Sequence, residues 1–265
     1  HGVFELAGTL DHIGPIARNA ADAALLYDAI AGSDPLDPTS LDGPVPLLSA
    51  ALGQGVGGLT IGLDPAWTED GVQPEVSAAI HAVAQVLQEQ GAKLRPVSLP
   101  VLPDVVDIWY DICAAQTAKV HAESFAQYGH TYSAALSAII RHGQTQPEAN
   151  LRLAQDRQTA YSASLIKALG QVNLVAIPVL PFAPPSLAQT QNINRALIDA
   201  LHRFTCPFTL SGAPGITFPG GQTAEGLPLA VQLVATPLAE DLLIRAAHAF
   251  QAVAAPQAHP SLSAN

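Results

Sequence analysis

Methionine is absent from all 265 residues, and position 1 is a histidine. An intact reading frame supplies an initiator, so the expectation is a truncated or processed chain. Charge is scarce: Asp, Glu, Lys and Arg make up 12% of the residues, against 49% hydrophobic. That balance excludes a disordered chain and suits a large buried core. Basic residues are the scarcer sign, 11 against 22 acidic, for a net charge of -11. Phosphate backbones and anionic headgroups are repelled by such a surface, so neither nucleic acid nor membrane is an expected partner. Long apolar runs are missing too. The longest, Leu174 to Pro185, is broken by Pro178, Pro181, Pro184 and Pro185 and is too short to cross a bilayer.

Cysteine is limited to Cys113 and Cys206, with no CxxC pair. This excludes a disulfide framework and a thiolate metal site, and it fits a reduced, cytoplasmic setting. The nine histidines contain no HExxH and no cluster with ligand spacing, so no metal is expected. A G-x-S-x-G nucleophile elbow is also missing, which removes the hydrolase chemistry built on that turn.

The apolar pattern that is present alternates between strand and helix. Ala23, Leu26, Tyr27 and Ile30 have helical spacing, with Gly32 as a stop. Asp34-Pro35 and Asp37-Pro38 mark an exposed loop from Ser33 to Pro46. Leu59 to Leu63 reads as a short buried strand, Pro74 to Leu87 as a helix ended by Gly91, and Leu94 to Leu99 as a second strand. This strand–helix–strand unit predicts an α/β fold: a mixed, largely parallel sheet flanked by helices. Residues 104–170 read as mainly helical, with breaks near Gly129 and at Gly143 to Pro147. Asn173 to Ile177 reads as a strand, Asn192 to Arg203 as a helix, and Leu238 to Ala252 as a last helix. Ile216 to Phe218 and Leu229 to Val234 read as strands around a Gly220-Gly221 turn. The whole is read as one domain, 1–265, with a frayed tail over 255–265.

Two motifs are set aside. Gly53 to Gly58 fits G-x-G-x-x-G but precedes a strand instead of following one, so it lacks phosphate-cradling geometry. Ser164 to Lys167 fits S-x-x-K but sits in a helical pattern without partner motifs, and reads as a solvated helix face.

Four blocks together resemble amidase-signature enzymes: Gly2 to Arg18 continued to Gly32, Asn173 to Pro181, Phe204 to Gly220, and Gly226 to Val234 followed by Glu240 to Leu243. They occur in that family's order and span nearly the whole chain. The resemblance, which extends to the A subunit of glutamyl-tRNA(Gln) amidotransferase and to biuret- and allophanate-type amidohydrolases, implies hydrolysis of a small carboxamide by a serine activated through a second serine and a lysine. No metal or organic cofactor is implied. In the family the lysine and both serines precede the block seen at Gly2 to Arg18, whereas Lys93, Lys119 and Lys167 all follow it. No catalytic residue is therefore assigned to this chain, and the resemblance implies the C-terminal portion of an amidase, inactive alone. Its partners would be a small amide substrate in the intact parent and a complementing N-terminal segment or further copies. The alternative is a non-catalytic homologue serving as a binding or regulatory module.

Four residues are carried as candidate substrate contacts. Asp11, in the Leu10-Asp11 motif, would orient the nucleophile loop or touch substrate; otherwise it caps backbone N–H groups or pairs with Arg18. His202 falls where related amidotransferase subunits hold the substrate ammonium with a carboxylate; otherwise it is a helix-end surface histidine. Pro178 and Phe182, on a pocket-side loop, would shape an apolar wall; loop packing is the other reading.

Overall fold

The computed structural model describes residues 1–37, 39–191 and 193–254. The tail expected over 255–265 lies outside the described residues. After an N-terminal loop, helix α1 (Ala20–Ile30) starts where the Asn19 side chain accepts the Asp22 backbone N–H. A 3-10 turn (Leu48–Ala51) leads to strand β1 (Thr60–Leu63), the short α2 (Pro65–Thr68), α3 (Pro74–Glu89) and β2 (Lys93–Pro96). Pro65 and Pro74 each open a helix where a missing N–H costs nothing.

A helical section follows: α4 (Val105–Val120), α5 (Ala122–Tyr128), α6 (Ala134–Thr145) and α7 (Glu148–Leu169). Then come β3 (Leu174–Pro178), α8 (Leu187–Thr190), α9 (Arg195–His202) and α10 (Cys206–Ser211). The chain closes with β4 (Gly215–Gln222), β5 (Pro228–Val234) and α11 (Glu240–Val253). No helix among the described residues is long and apolar enough to cross a membrane.

The five strands form one mixed sheet in the order β2-β1-β3-β5-β4. Pairings of β1 with β2 and with β3 are parallel, and those of β5 with β3 and with β4 are antiparallel. Helices cover both faces. Leu174 and Ala176 of β3 enter a core with α1, α3 and α11, while Val175 and Ile177 enter a second core with α4, α7 and α10. The alternation is the period-two geometry of a strand buried on both sides. Asn173 fixes its register, because its side chain accepts the Thr60 N–H at 2.8 Å and its own N–H donates to the Thr60 carbonyl at 3.0 Å.

Two glycine readings differ from expectation, for the same reason. Gly220 and Gly221 do not form the turn; they lie inside β4, and the chain reverses at Thr223 to Leu227 around Gly226, whose φ is +82°. A Cβ on Gly220 would stand 2.5 Å from a Val231 methyl and 2.8 Å from a Val83 methyl. Gly143 likewise does not break a helix; it sits within α6, where a Cβ would stand 1.9 Å from the Ala114 carbonyl oxygen. Both glycines serve close approach between elements, and the actual break between α6 and α7 is at Gln146-Pro147.

Gly143→Ala is therefore expected to destabilise the fold by on the order of 3 kcal/mol, because backbone must move. Gly14→Ala, which meets nothing within 4 Å, should stay within about 0.5 kcal/mol. Urea denaturation of the two variants checks the difference.

Candidate functional site

The loop carrying the Leu10-Asp11 motif folds back on itself. Both the Leu6 and Ala7 N–H groups donate to one oxygen of Asp11, at 2.7 and 3.0 Å. Asp11 thus takes the backbone-capping role, not a pairing with Arg18. The loop is then pinned to α4 by Gln116, which accepts the Thr9 N–H at 3.0 Å and donates to the Thr9 hydroxyl at 2.6 Å. This reciprocal pair fixes where the Asp11 carboxylate stands.

Opposite it, α9 ends at His202. Its Nδ1 lies 2.8 Å from the Ile198 carbonyl, an oxygen that can only accept, so Nδ1 carries the proton. The imidazole stacks on Trp109 with ring centroids 5.2 Å apart, which holds the ring in one orientation. Asp11 and His202 line one shallow cavity of about 130 Å³, together with Trp109, Cys113, Thr205, Cys206 and Thr209. Across Thr205 and Thr209 it adjoins a larger hollow of about 480 Å³ bordered by His12 to Pro15, Tyr27, Gly215 to Thr217 and Gln232.

The structure brings Asp11 and His202 together and leaves the other two candidates elsewhere. Pro178 is buried in β3, paired with Val231 of β5. Phe182 is half-buried in the loop beyond, which is tied to Gln73 through the Pro181 carbonyl and the Ala183 N–H. Trp109 and Gln116 went unread in the sequence, and Cys113 was read only as an unpaired cysteine, although their spacing along α4 places all three on one helix face.

Both thiols are buried in this wall. Burial pushes Cys206 up to about 12, with Cys113 nearby adding to the shift. Burial also raises Cys113, against the pull of its hydrogen bond with Thr117. Neither is a nucleophile near neutrality, since the thiolate is the reactive form. All three lysines are exposed, and among the described residues none hydrogen-bonds a serine. The Ser164 hydroxyl donates to the Ala160 carbonyl one turn back, so Ser164 and Lys167 form no catalytic pair.

The mixed sheet with helices on both faces defines an α/β protein. The amidase family profile matches residues 1–244, and the chain belongs to that family. Among relatives, it is 31% identical to an amidase of Pseudomonas putida, over 98% of this chain and 57% of that protein. It is also 31% identical to the A subunit of glutamyl-tRNA(Gln) amidotransferase from Geobacter sp. (strain M21), over 95% of this chain and 56% of that protein. Among solved structures, an inhibitor-bound protein from a vestigial complex linked to the origins of an s-triazine catabolic enzyme matches with TM-score 0.80 and 26% identity, over 95% of this chain and 55% of that one. A bacterial aryl acylamidase of the amidase signature family matches with TM-score 0.75 and 26% identity, over 90% and 52%. The chain spans about half the length of the relatives it matches.

The buried thiols set a pH dependence. A folded-state value above the unfolded value of 9.0 means that the native form holds its proton longer. Its contribution is fully present below pH 9 and is lost as pH rises toward 12. Chemical denaturation is expected to show stability falling from pH 9 upward, with a shallower fall in Cys206→Ala.

Proposed function

We propose that this chain is the C-terminal portion of an amide hydrolase, supplying part of the sheet and the Asp11–His202 wall of a pocket for a small carboxamide. The observation that carries the reading is a set of ordered polar groups without a nucleophile: a carboxylate held by two N–H groups, a histidine held by Ile198 and Trp109, and, among the described residues, no serine hydroxyl bonded directly to a lysine amine or an imidazole. An alcohol becomes a useful nucleophile only beside a group that takes its proton. A lysine does so when burial keeps it neutral, and all three lysines here are exposed. The serine pair and the base would be supplied by an N-terminal segment, consistent with a match covering about half of each relative.

In that arrangement Asp11 acts as a positioning residue. It shapes the loop that would abut the nucleophile, and Gln116 keeps that loop on α4. With Nδ1 engaged by the Ile198 carbonyl, the His202 Nε2 is the ring nitrogen left to meet an amide substrate. A substrate ammonium would meet an imidazole there in place of a carboxylate, so uncharged amides are favoured over glutamine-like ones. No cofactor is part of this reading.

A second reading, a non-catalytic binding or regulatory module, is favoured by the same geometry, since the pocket is formed without a catalytic pair. The two separate in one assay. The chain alone should not hydrolyse a small aryl amide, and activity should appear when an N-terminal amidase segment bearing the lysine and serines is added. Binding of the amide without turnover after complementation would favour the module. Asp11→Ala in the complemented protein should lower kcat by about tenfold or more through loss of loop order. Ser164→Ala and Lys167→Ala should leave it unchanged.

A further inference from the structure

The three parallel strands send their carboxyl-terminal loops to one place. Beyond β1 lie Trp67 and Gly71, beyond β2 lie Val101 to Asp104, and beyond β3 lies Pro181; together with α9 and Phe204 they enclose a cavity of about 560 Å³. The connections leave β1 and β3 in opposite directions. That from β1 passes to α3 against one core, and that from β3 passes to α9 and α10 against the other. Divergence of this kind opens a crevice at the strand ends, where open α/β sheets bind ligands. None of the residues lining this cavity lines the Asp11–His202 pocket.

Its floor is apolar, built from Trp67, Tyr161, Phe204 and Pro207. Its charges sort themselves. Asp104 is held by Arg157, and Asp107 and Asp199 both bind Arg195, each at 2.7 Å. Arg203 has no carboxylate partner among the described residues; its guanidinium lies 4.7 Å from the centre of the Phe204 ring. The same group stands beside Gly71, where a Cβ would come within 3.0 Å of its Nη1, so it faces the loop that follows α2, the helix carrying Trp67. The indole of Trp67 is itself 95% buried, being 5% exposed, and its Nε1 finds no acceptor. Buried indole N–H groups ordinarily do find one.

An unpaired guanidinium beside aromatic walls suits an acceptor oxygen on an apolar body, while the Trp67 Nε1 is wholly covered and reports on the wall without touching the ligand. We propose that this cavity is a binding site for a small organic carboxylate, its ring or chain against Trp67 and Phe204 and its carboxylate on Arg203. Only Arg203 offers charge for it, since the other cation of the wall is already shared between two aspartates. The site is independent of whether the chain takes part in amide hydrolysis.

The two indole N–H signals in the NMR spectrum, from Trp67 and Trp109, report the test, with Trp67→Phe assigning them. Benzoate added to the whole chain is expected to shift the Trp67 signal saturably and to leave Trp109 unmoved, while benzamide, of the same shape without the charge, binds about tenfold more weakly or worse. Arg203→Gln should weaken benzoate binding by a similar factor, and Arg203→Lys should restore part of it. A Trp67 signal that benzoate does not move, equal binding of benzamide, or unchanged binding in a folded Arg203→Gln protein would each overturn the assignment.

Discussion

Burial of β3 on both faces is the constraint on which the rest of the molecule depends. Its five residues are all buried, and they join the parallel strands β2 and β1 to the antiparallel pair β5 and β4. One strand therefore closes two cores, with Leu174 and Ala176 on one side and Val175 and Ile177 on the other. Because both sides are dry, a register slip of one residue would exchange the whole set between cores of different shape. The Asn173 clasp on Thr60 excludes that slip at the strand's start. Where β3 ends, Pro178 to Phe182 turn outward, and that departure opens the cavity beneath Trp67.

Much of this could be read in the chain before any coordinates. Strands such as β1 and β3 are short apolar runs ended by Asp64-Pro65 or a proline loop, and α3 has a first-turn proline and helical period. Their identity is local, so it shows in sequence. Gly143 and Gly220 mislead in sequence because glycine has two meanings. One is freedom of φ at a turn, as at Gly226; the other is room for a neighbour, which only the packed partners Ala114 and Val231 reveal. The site was legible in part for the same reason. Asp11 and His202 were visible through family blocks, yet Trp109 and Gln116, which hold them, act across more than ninety residues of chain and leave no local mark.

Charge pairing separates the two concavities of the second core. At the Asp11–His202 wall one carboxylate oxygen holds the loop backbone and the Thr205 and Thr209 hydroxyls donate to carbonyls one turn back, which leaves the other Asp11 oxygen and one imidazole nitrogen without a protein partner among the described residues. Across α9 the aspartates are paired with Arg157 and Arg195, and what remains is the Arg203 cation. The eight-residue helix α9 thus lies between a wall carrying Asp11 and His202 and a wall carrying Arg203.

Among the described residues no serine hydroxyl bonds directly to a lysine amine or an imidazole that could activate it. Incubation with a fluorophosphonate, which forms a stable adduct only with an activated serine, followed by intact-mass measurement, tests this most directly. The account predicts an unmodified mass for this chain under conditions that label a full-length amidase. A stoichiometric adduct on any of its own serines would contradict it.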